Sequence, residues 1–524
     1  MLSVVSPSGF WATLCAQVQD FLRADLIGVT VDGVEATGFR SPDSPALWIR
    51  DHSDILRAGK YVHADVQSAV DLFAAYQAAS GRVFDYVTTQ AGTEPENWEK
   101  WVRVPVEADV EFRFVKAAAL AWQASGDDAW MEALLPRLDA ALAYTCTHPW
   151  RWDPGLDLPK RAYTVDTWDF DYTAGRAPWL NFAVTDETIW GVMHGDVSGL
   201  YEAMRLLAGL YERVGQPAAA ARWRDTAEGL RERANALLFN GRFYTHFHRL
   251  APGTIDGLDE AEQLSLSNPM DVNRGLATHE MAVAILREYQ RRRVSTGAFA
   301  EWFSIDPPFP DDAFADDKVV GGAYCNGGIM PLVGGELARA AFEHGFEAYG
   351  VDILRQYGEM IAASGETYLW YFPDGTASTA EASTSPDAMP TDGWGSGAML
   401  YAFVEGLCGV EDLGHSYQRV RCSPRWVAAG EAEATVGVGY AASGARFGYA
   451  YVHDADARTI RLRFDADAEV DLHLLLPPGT RPVAVTWAGE GVACDAVTVE
   501  QSVYADASGA VGAGCEVEVR YADA

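Results

Sequence analysis

From about residue 60 to about residue 410 the apolar residues of this chain recur at helical spacing in long blocks that come in pairs, and nothing constrains its folding more. The pattern predicts helices over Val66–Ala79, Val110–Ser125, Ala129–Tyr144, Val197–Val214, Ala218–Leu238, Val272–Tyr289, Leu337–His344 and Val351–Ala363. Short polar turns such as 125–128 and 215–217 join some neighbours, whereas other connections are long, irregular and rich in aromatic residues. Paired amphipathic helices bury their stripes as hairpins, and long loops gathered on one side of such an array are where a site is built.

After about residue 418 the period changes to two. Segments 434–440, 446–452, 459–464, 470–476, 482–487 and 517–521 alternate apolar and polar residues between Gly, Asp and Pro, which predicts an antiparallel β-sandwich. The expected class is therefore mainly α, with an extension at 1–44, a helical domain at 45–417 and a β-sandwich at 418–524. All but Trp426 and Trp487 of the 17 tryptophans precede the sandwich, so an aromatic-rich site belongs to the helical part.

The 40 basic and 74 acidic residues leave a net charge of −34, which repels phosphate backbones and anionic membranes, so no nucleic-acid or membrane partner is expected. Seven cysteines show no CxxC and no metal-like spacing, and their odd number argues for reduced thiols. No metal or cofactor is called for. The N-terminus has no basic n-region and no run of about 18 apolar residues occurs. A soluble, cytoplasmic protein is the expectation, with no signal for an oligomeric state.

Carboxylates and indoles cluster at the mouths of the expected helices. Trp48-Ile-Arg50-Asp51 sets a planar donor and a carboxylate ahead of a helix, a combination able to hold vicinal hydroxyls as well as to form a loop salt bridge. Glu107 and Asp109 open the helix at 110; the N-terminal dipole favours acids there, but with Glu111 they exceed what capping needs, so either could face a pocket. Asp166, Trp168, Asp169 and Asp171 share a long loop, and an acid against an indole has the environment of a general acid. His194-Gly195-Asp196 precedes another helix, with Asp196 a natural N-cap. Tyr324 and Asn326 lie in a glycine-rich turn that lets backbone approach a ligand. Glu366 and Trp370 lead to Glu381, a lone acid among small residues ahead of the helix opening at Gly393-Trp394, where a base holding a water would fit. An indole covers the apolar face of a sugar while carboxylates accept its hydroxyls, so the clusters point to a neutral, polyhydroxylated ligand.

Together these segments resemble the six-hairpin, (α/α)6-barrel glycosidases, a superfamily that includes trehalases, glucosylglycerate and mannosylglycerate hydrolases, debranching glucosidases, neutral invertases and α-L-rhamnosidases; the resemblance covers roughly residues 45–410. Trp168-Asp169-Phe170 is similar to the Trp-Asp-Phe of trehalases, whose Asp is the general acid. Trp48-x-Arg50-Asp51 is similar to a substrate-binding Trp-Arg-Asp, and Asn326-Gly-Gly-x-x-Pro331 to an Asn-Gly-x-x-Trp-Pro element, with Met330 in place of Trp. Glu381 sits where these families carry a catalytic base, with Glu366 as the alternative. The C-terminal sandwich resembles that of α-L-rhamnosidases, but the large N-terminal β-domains and acidic motif of those enzymes are missing, which disfavours a rhamnosidase.

The resemblance implies an α/α toroid and an inverting, exo-acting glycoside hydrolase that removes a terminal sugar, by an α-glucoside-like bond, from a small saccharide or glycoside. Asp169 is the expected acid, with Asp166, Asp171 and Asp196 as alternatives, and Glu381 the expected base. Trp48, Arg50, Asp51, Glu107, Asp109, Asp166, Trp168, Tyr324, Asn326, Trp370 and Trp394 would shape the sugar site. A disaccharide phosphorylase of the same fold would want basic residues beside the base, and 378–394 has none. A sugar-binding protein that has lost catalysis would keep the indoles without needing two opposed carboxylates.

Overall fold

The computed structural model describes residues 2–40, 46–89, 98–102, 107–166, 184, 186, 188–311, 313, 319–378 and 390–524. Its helices are α1 (Phe10–Ala24), α2 (Ile49–Gly59), α3 (Ser68–Ala75), α4 (Val110–Ser125), α5 (Asp128–Thr147), α6 (His194–Arg213), α7 (Pro217–Leu238), α8 (Ser267–Asn273), α9 (His279–Thr296), α10 (Pro331–Glu343), α11 (Glu347–Ser364), α12 (Gly393–Tyr401) and the single turn α13 (Trp426–Ala429).

Local chemistry sets the hairpin turns. Gly126 ends α4 at φ 69°, a conformation that a Cβ would strain, and Asp127 then starts α5 by accepting a hydrogen bond from Trp130 N at 2.9 Å. Pro217 and Pro331 open α7 and α10 at positions whose N–H needs no partner. Gly365, at φ 75°, closes α11.

Two segments depart from the expected boundaries. The block Val272–Tyr289 is two helices: Gly275 stands at φ 80°, and Thr278 caps α9 by accepting from Met281 N. α2 begins at Ile49 itself, so Arg50 and Asp51 lie inside its first turn, with Trp48 as N-cap.

Helix α2 packs on α4, α4 on α6, α6 on α8, α8 on α10, α10 on α12, and α12 back on α2. α2 buries all its residues, and α10 and α12 all but the last, whereas α5, α7, α9 and α11 each keep an exposed face. α5, α7, α9 and α11 pack on α4, α6, α8 and α10, while α1 packs on α12. Because α2 carries Arg50, Asp51, Asp54 and Arg57, its burial demands internal partners for their charges.

The C-terminal region forms two sheets. One runs in the order Ser3–Val5, Glu433–Gly439, Arg446–Asp454, Thr459–Phe464, Glu516–Asp523, Thr480–Trp487, Glu490–Val492; the other runs Val410–Asp412, Arg419–Cys422, Ala468–Leu475, Ser502–Val511, Asp495–Val499. Trp487 of the first donates its indole N–H to Ala510 O of the second at 2.9 Å, which joins the two layers. The N-terminal strand is thus sewn into the C-terminal sheet, Ser3 opposite Gly437 and Val5 opposite Thr435. The sheets are not wholly antiparallel as the alternation suggested: Arg419–Cys422, the antiparallel neighbour of Val410–Asp412, runs parallel to Ala468–Leu475 on its other side.

A single apolar core runs through helices and sheets, and a small separate cluster holds Ala46, Trp48 and Tyr86. Across the helix–sheet junction, Tyr449 donates its hydroxyl to Cys408 O at 2.6 Å, and Arg425 and Arg421 pair with Glu343 at 2.8 and 2.6 Å. No described helix is long and apolar enough to cross a membrane.

Candidate active site

The starts of α2, α4, α6, α8, α10 and α12 carry most of the residues singled out from the sequence. At α2 and α4 the Arg50 guanidinium binds Asp109 twice, Nε to Oδ2 at 2.9 Å and Nη2 to Oδ1 at 3.0 Å, and also meets Glu107. Arg113 reaches Asp109 at 3.3 Å and pairs with Asp54. Arg50, Asp51, Asp54, Glu107, Asp109 and Arg113 are all buried. Burial alone would raise the Asp109 pKa, but Arg50 and Arg113 hold it well below the usual carboxylate range. Asp109 is the N-cap of α4 without capping it, because its oxygens go to the two guanidinium groups. Beneath them Glu111 accepts from Val83 N at 3.1 Å, and burial pushes its pKa up to about 7.

At α6 and α8, Asp166 accepts from Ser267 Oγ at 2.5 Å and Ser267 N at 3.3 Å, while its own N–H donates to His246 Nε2 at 2.8 Å. His194 lies 3.9 Å from Asp166, and its Nδ1 meets Asp271 at 2.5 Å. Against the burial that would raise it, the neighbouring imidazoles lower the Asp166 pKa, so this acid is held ionised rather than ready to give a proton. Gly195 is needed beside them, since a Cβ there would come within 2.3 Å of Ser267 Oγ. Asp196 is not the N-cap: Met193 holds that place, and Asp196, in the first turn, pairs with buried Arg161 at 3.1 Å.

At α10 and α12 the outcome is mixed. Asn326 turns its amide into its own loop, accepting from Phe309 N at 2.7 Å and donating to Phe309 O and Val319 O at 3.1 and 3.3 Å, which uses both donors and fastens the turn. Tyr324 is buried at φ 47° in the same turn. Trp370 is an interior indole, 1% exposed and edge-on to Phe372 at 4.6 Å. Asp392 caps α12, accepting from Trp394 N and Gly395 N at 3.2 and 2.7 Å, and so fixes Trp394 at the helix start. Glu366 is half-buried beside it and accepts from Thr391 Oγ1 at 3.3 Å.

Trp168, Asp169 and Glu381 lie outside the described residues. Sequence reasoning missed Asp25, the residue that ends α1, whose carboxyl lies against the start of α12; a Cβ on Gly393 would come within 2.6 Å of its Oδ2. Burial first, and then the charge of Asp392, push its pKa up to about 9. It also missed Arg113, Arg161, His246 and Ser267, whose partners are distant in sequence. The motif containing Asp54 was visible, but its pairing with Arg113 was not. At the opposite ends of the same helices a hollow of about 660 Å³ is lined by both cations and carboxylates, among them Arg57, Lys60, Lys116, Glu202 and Glu405.

No protein-family model matches this sequence, and no curated protein is similar to it. Among solved structures, the α-L-rhamnosidase from Dictyoglumus thermophilum matches with a TM-score of 0.61 at 11% identity, over 100% of this chain and 51% of that one. A GH78 family rhamnosidase of Bacillus sp. GL1 gives 0.58 at 16%, over 90% and 42%. A GH63 mannosylglycerate hydrolase from Thermus thermophilus gives 0.52 at 15%, over 74% and 99%. The chain shares its fold with these glycosidases. That agrees with the resemblance read from the sequence, and at such identities the likeness is one of fold. The chain spans about half the length, or less, of these two rhamnosidases.

Proposed function

We propose that this chain is an inverting, exo-acting glycoside hydrolase that removes a terminal sugar from a small saccharide or glycoside through an α-glucoside-like bond. Asp169 is the general acid and Glu381 the general base. The observation that carries the reading is the meeting of Arg50, Glu107 and Asp109 at the helix start that also holds Trp48 and Asp51, at one end of a ring of helices, in a fold shared with glycosidases. Helix N-termini aimed at one place, with a buried guanidinium and carboxylates, suit a neutral polyol better than an apolar ligand. The contacts from α2 round to α12 and back support an (α/α)6 toroid at 45–417, closed by α1 from residues 1–44 and backed by a sandwich at 418–524. Trp394 and the Trp48 cluster supply indole faces; Asn326 and Trp370 act from behind, by fixing the loop and the floor.

A second reading, an α-L-rhamnoside-cleaving enzyme, is favoured by one observation: the likeness to the two rhamnosidases above extends over 90% or more of this chain, against 74% for the mannosylglycerate hydrolase. Aryl α-glucosides, α-mannosides and α-L-rhamnosides, with trehalose, kojibiose and glucosylglycerate, assayed with and without inorganic phosphate, separate the readings. Free sugar from the glucoside series supports the first, rhamnose release the second, and a sugar phosphate would make the enzyme a phosphorylase. Absence of both turnover and saccharide binding would defeat all three.

A further inference from the structure

The strand Ala46–Trp48 pairs with Tyr86–Thr89, which pairs in turn with Trp98–Trp101, so Trp48 stands opposite Tyr86 and Tyr86 opposite Trp101. Residues directly opposite in antiparallel strands share a face of the sheet, and here the three rings follow one another. Trp48 and Tyr86 are 3.9 Å apart at 31°, Tyr86 and Trp101 5.9 Å apart at 8°. Backbone bonds continue the series into the carboxylate cluster: Ile49 N donates to Asp85 O at 3.0 Å, and Asp85 N to Trp101 O at 2.8 Å. Arg50 follows Ile49 directly. The chain beyond Trp101 leads within six residues to Glu107, the partner of Arg50.

Exposure rises along the series, from 7% at Trp48 and 8% at Tyr86 to 46% at Trp101. Trp48 and Tyr86 lie outside the main apolar core, so the ladder is not that core reaching the surface. Trp101 donates its indole N–H to Glu99 Oε2 at 3.2 Å, which fixes the ring and leaves a carboxylate at its edge. A half-exposed, oriented indole beside an acceptor is what a sugar ring needs, its C–H face on the ring and a hydroxyl on the acid.

We propose that the ladder of Trp48, Tyr86 and Trp101 marks a saccharide track leading out of the terminal-sugar pocket, in which the two buried rings back the exposed third, and that Trp101 with Glu99 holds the neutral sugar or polyol unit that departs on cleavage. The track rests on the glycoside hydrolase reading, and it predicts that the natural substrate has a leaving group large enough to reach Trp101.

The test uses Trp101→Ala and Trp101→Phe in the full chain. Wild type and variants are assayed on trehalose, kojibiose and glucosylglycerate, and on α-glucosyl, α-mannosyl and α-L-rhamnosyl fluorides, whose leaving group is one atom. Trp101→Ala should raise KM for the sugar-leaving substrates about three- to tenfold, the usual worth of one aromatic contact. The fluorides should be unaffected, and Trp101→Phe should recover most of the loss. Equal effects on both series, or none, would overturn the track. Quenching of tryptophan emission by the same disaccharides gives a readout free of turnover: it should be weaker in Trp101→Ala than in wild type. If wild type hydrolyses nothing yet shows this difference, the hydrolase reading fails and the track stands; if Trp101→Ala leaves quenching unchanged, the track fails. A wild-type dimer that Trp101→Ala converts to monomer in sedimentation velocity would make Trp101 a contact between copies instead.

Discussion

Arg50 and Asp109, 59 residues apart in sequence, are joined by two hydrogen bonds of 2.9 and 3.0 Å in the buried cluster between α2 and α4. Two N–H groups on two carboxylate oxygens use the planar guanidinium as a fork, which a lysine ammonium cannot imitate. The pair orients Arg50 toward Glu107 as well, so its geometry sets both the stability of the cluster and the placing of its donors.

Removing one partner of a buried ion pair leaves the other charged and unsatisfied. Asp109→Asn leaves Arg50 with Glu107 and Arg113 with Asp54, so it should cost less than the ~3–5 kcal/mol of a wholly unpaired buried charge, and Arg50→Lys less again, because it keeps the charge and loses only the fork. Guanidinium denaturation measures both. If the two variants are equally destabilised, the fork, and not the charge alone, holds the cluster.

Glu111 makes a prediction about pH. Its pKa stands near 7 in the folded chain against an ordinary 4.5, so the folded state holds a proton that the unfolded chain gives up between those values. The contribution to stability is full below pH 4.5 and is lost as pH rises through 7. Glu111→Gln keeps an acceptor for Val83 N without the charge, and should stabilise by as much as about 3 kcal/mol at about pH 8 while changing little at about pH 4. Melting curves at the two pH values decide it, and a gain of equal size at both would mean that Glu111 is not the titrating group.

Much of the frame was legible in the sequence, because helical period and turn residues are local. α4 runs over Val110–Ser125, as the pattern predicts, and α7 differs by one residue. The split between α8 and α9 was missed because Val272, Leu276 and Ala277 continue an apolar stripe across a break that Gly275 and Thr278 do announce. The site was legible as motifs but not as pairings. Trp48, Arg50, Glu107 and Asp109 could be named, yet the choice of Asp109 by Arg50, of Ser267 by Asp166 and of Arg161 by Asp196 is made by packing between helices far apart in sequence. Asn326, from its glycine-rich turn and motif resemblance, and Trp370, from its place ahead of Glu381, were expected to face the ligand, and only burial and hydrogen bonding show that one fastens its loop and the other lies in the core.

Deleting residues 418–524 should uncover the α10 and α11 side of the helical part. Glu343 would lose Arg421 and Arg425, Glu347 would lose Ser502 Oγ at 2.6 Å and the Tyr504 hydroxyl, and the Ser3–Val5 strand would lose its neighbour. The newly exposed apolar surface favours association, so the truncated chain should aggregate on expression. Light scattering and solubility measure this, and a monomeric truncation with wild-type melting would show that the sheets do not support the helices.

The stereochemical prediction rests on Asp169 and Glu381, which come from connections ahead of different helices and more than two hundred residues apart. Asp166 is held ionised by its imidazoles, which argues against it as the proton donor, whereas burial raises the Asp196 carboxyl against the pull of Arg161, so Asp171 and Asp196 are the alternatives to Asp169 that the variants must separate. Asp169→Asn should lower turnover by on the order of 10², the usual worth of a positioned donor. Glu381→Gln should abolish hydrolysis with little change in ligand affinity, since the amide keeps its hydrogen bond but cannot take a proton. In an inverting site a water stands between sugar and base, so the two carboxyl groups should lie roughly 6.5–9.5 Å apart rather than about 5–5.5 Å. Proton NMR of the first-formed sugar then shows the anomer opposite to the substrate's. A retained anomer, or a glycosyl-enzyme trapped on Glu381, would reject inversion; wild-type turnover by Glu381→Gln with loss in Glu366→Gln would move the base to Glu366, which lies within reach of Thr391 at the same helix start.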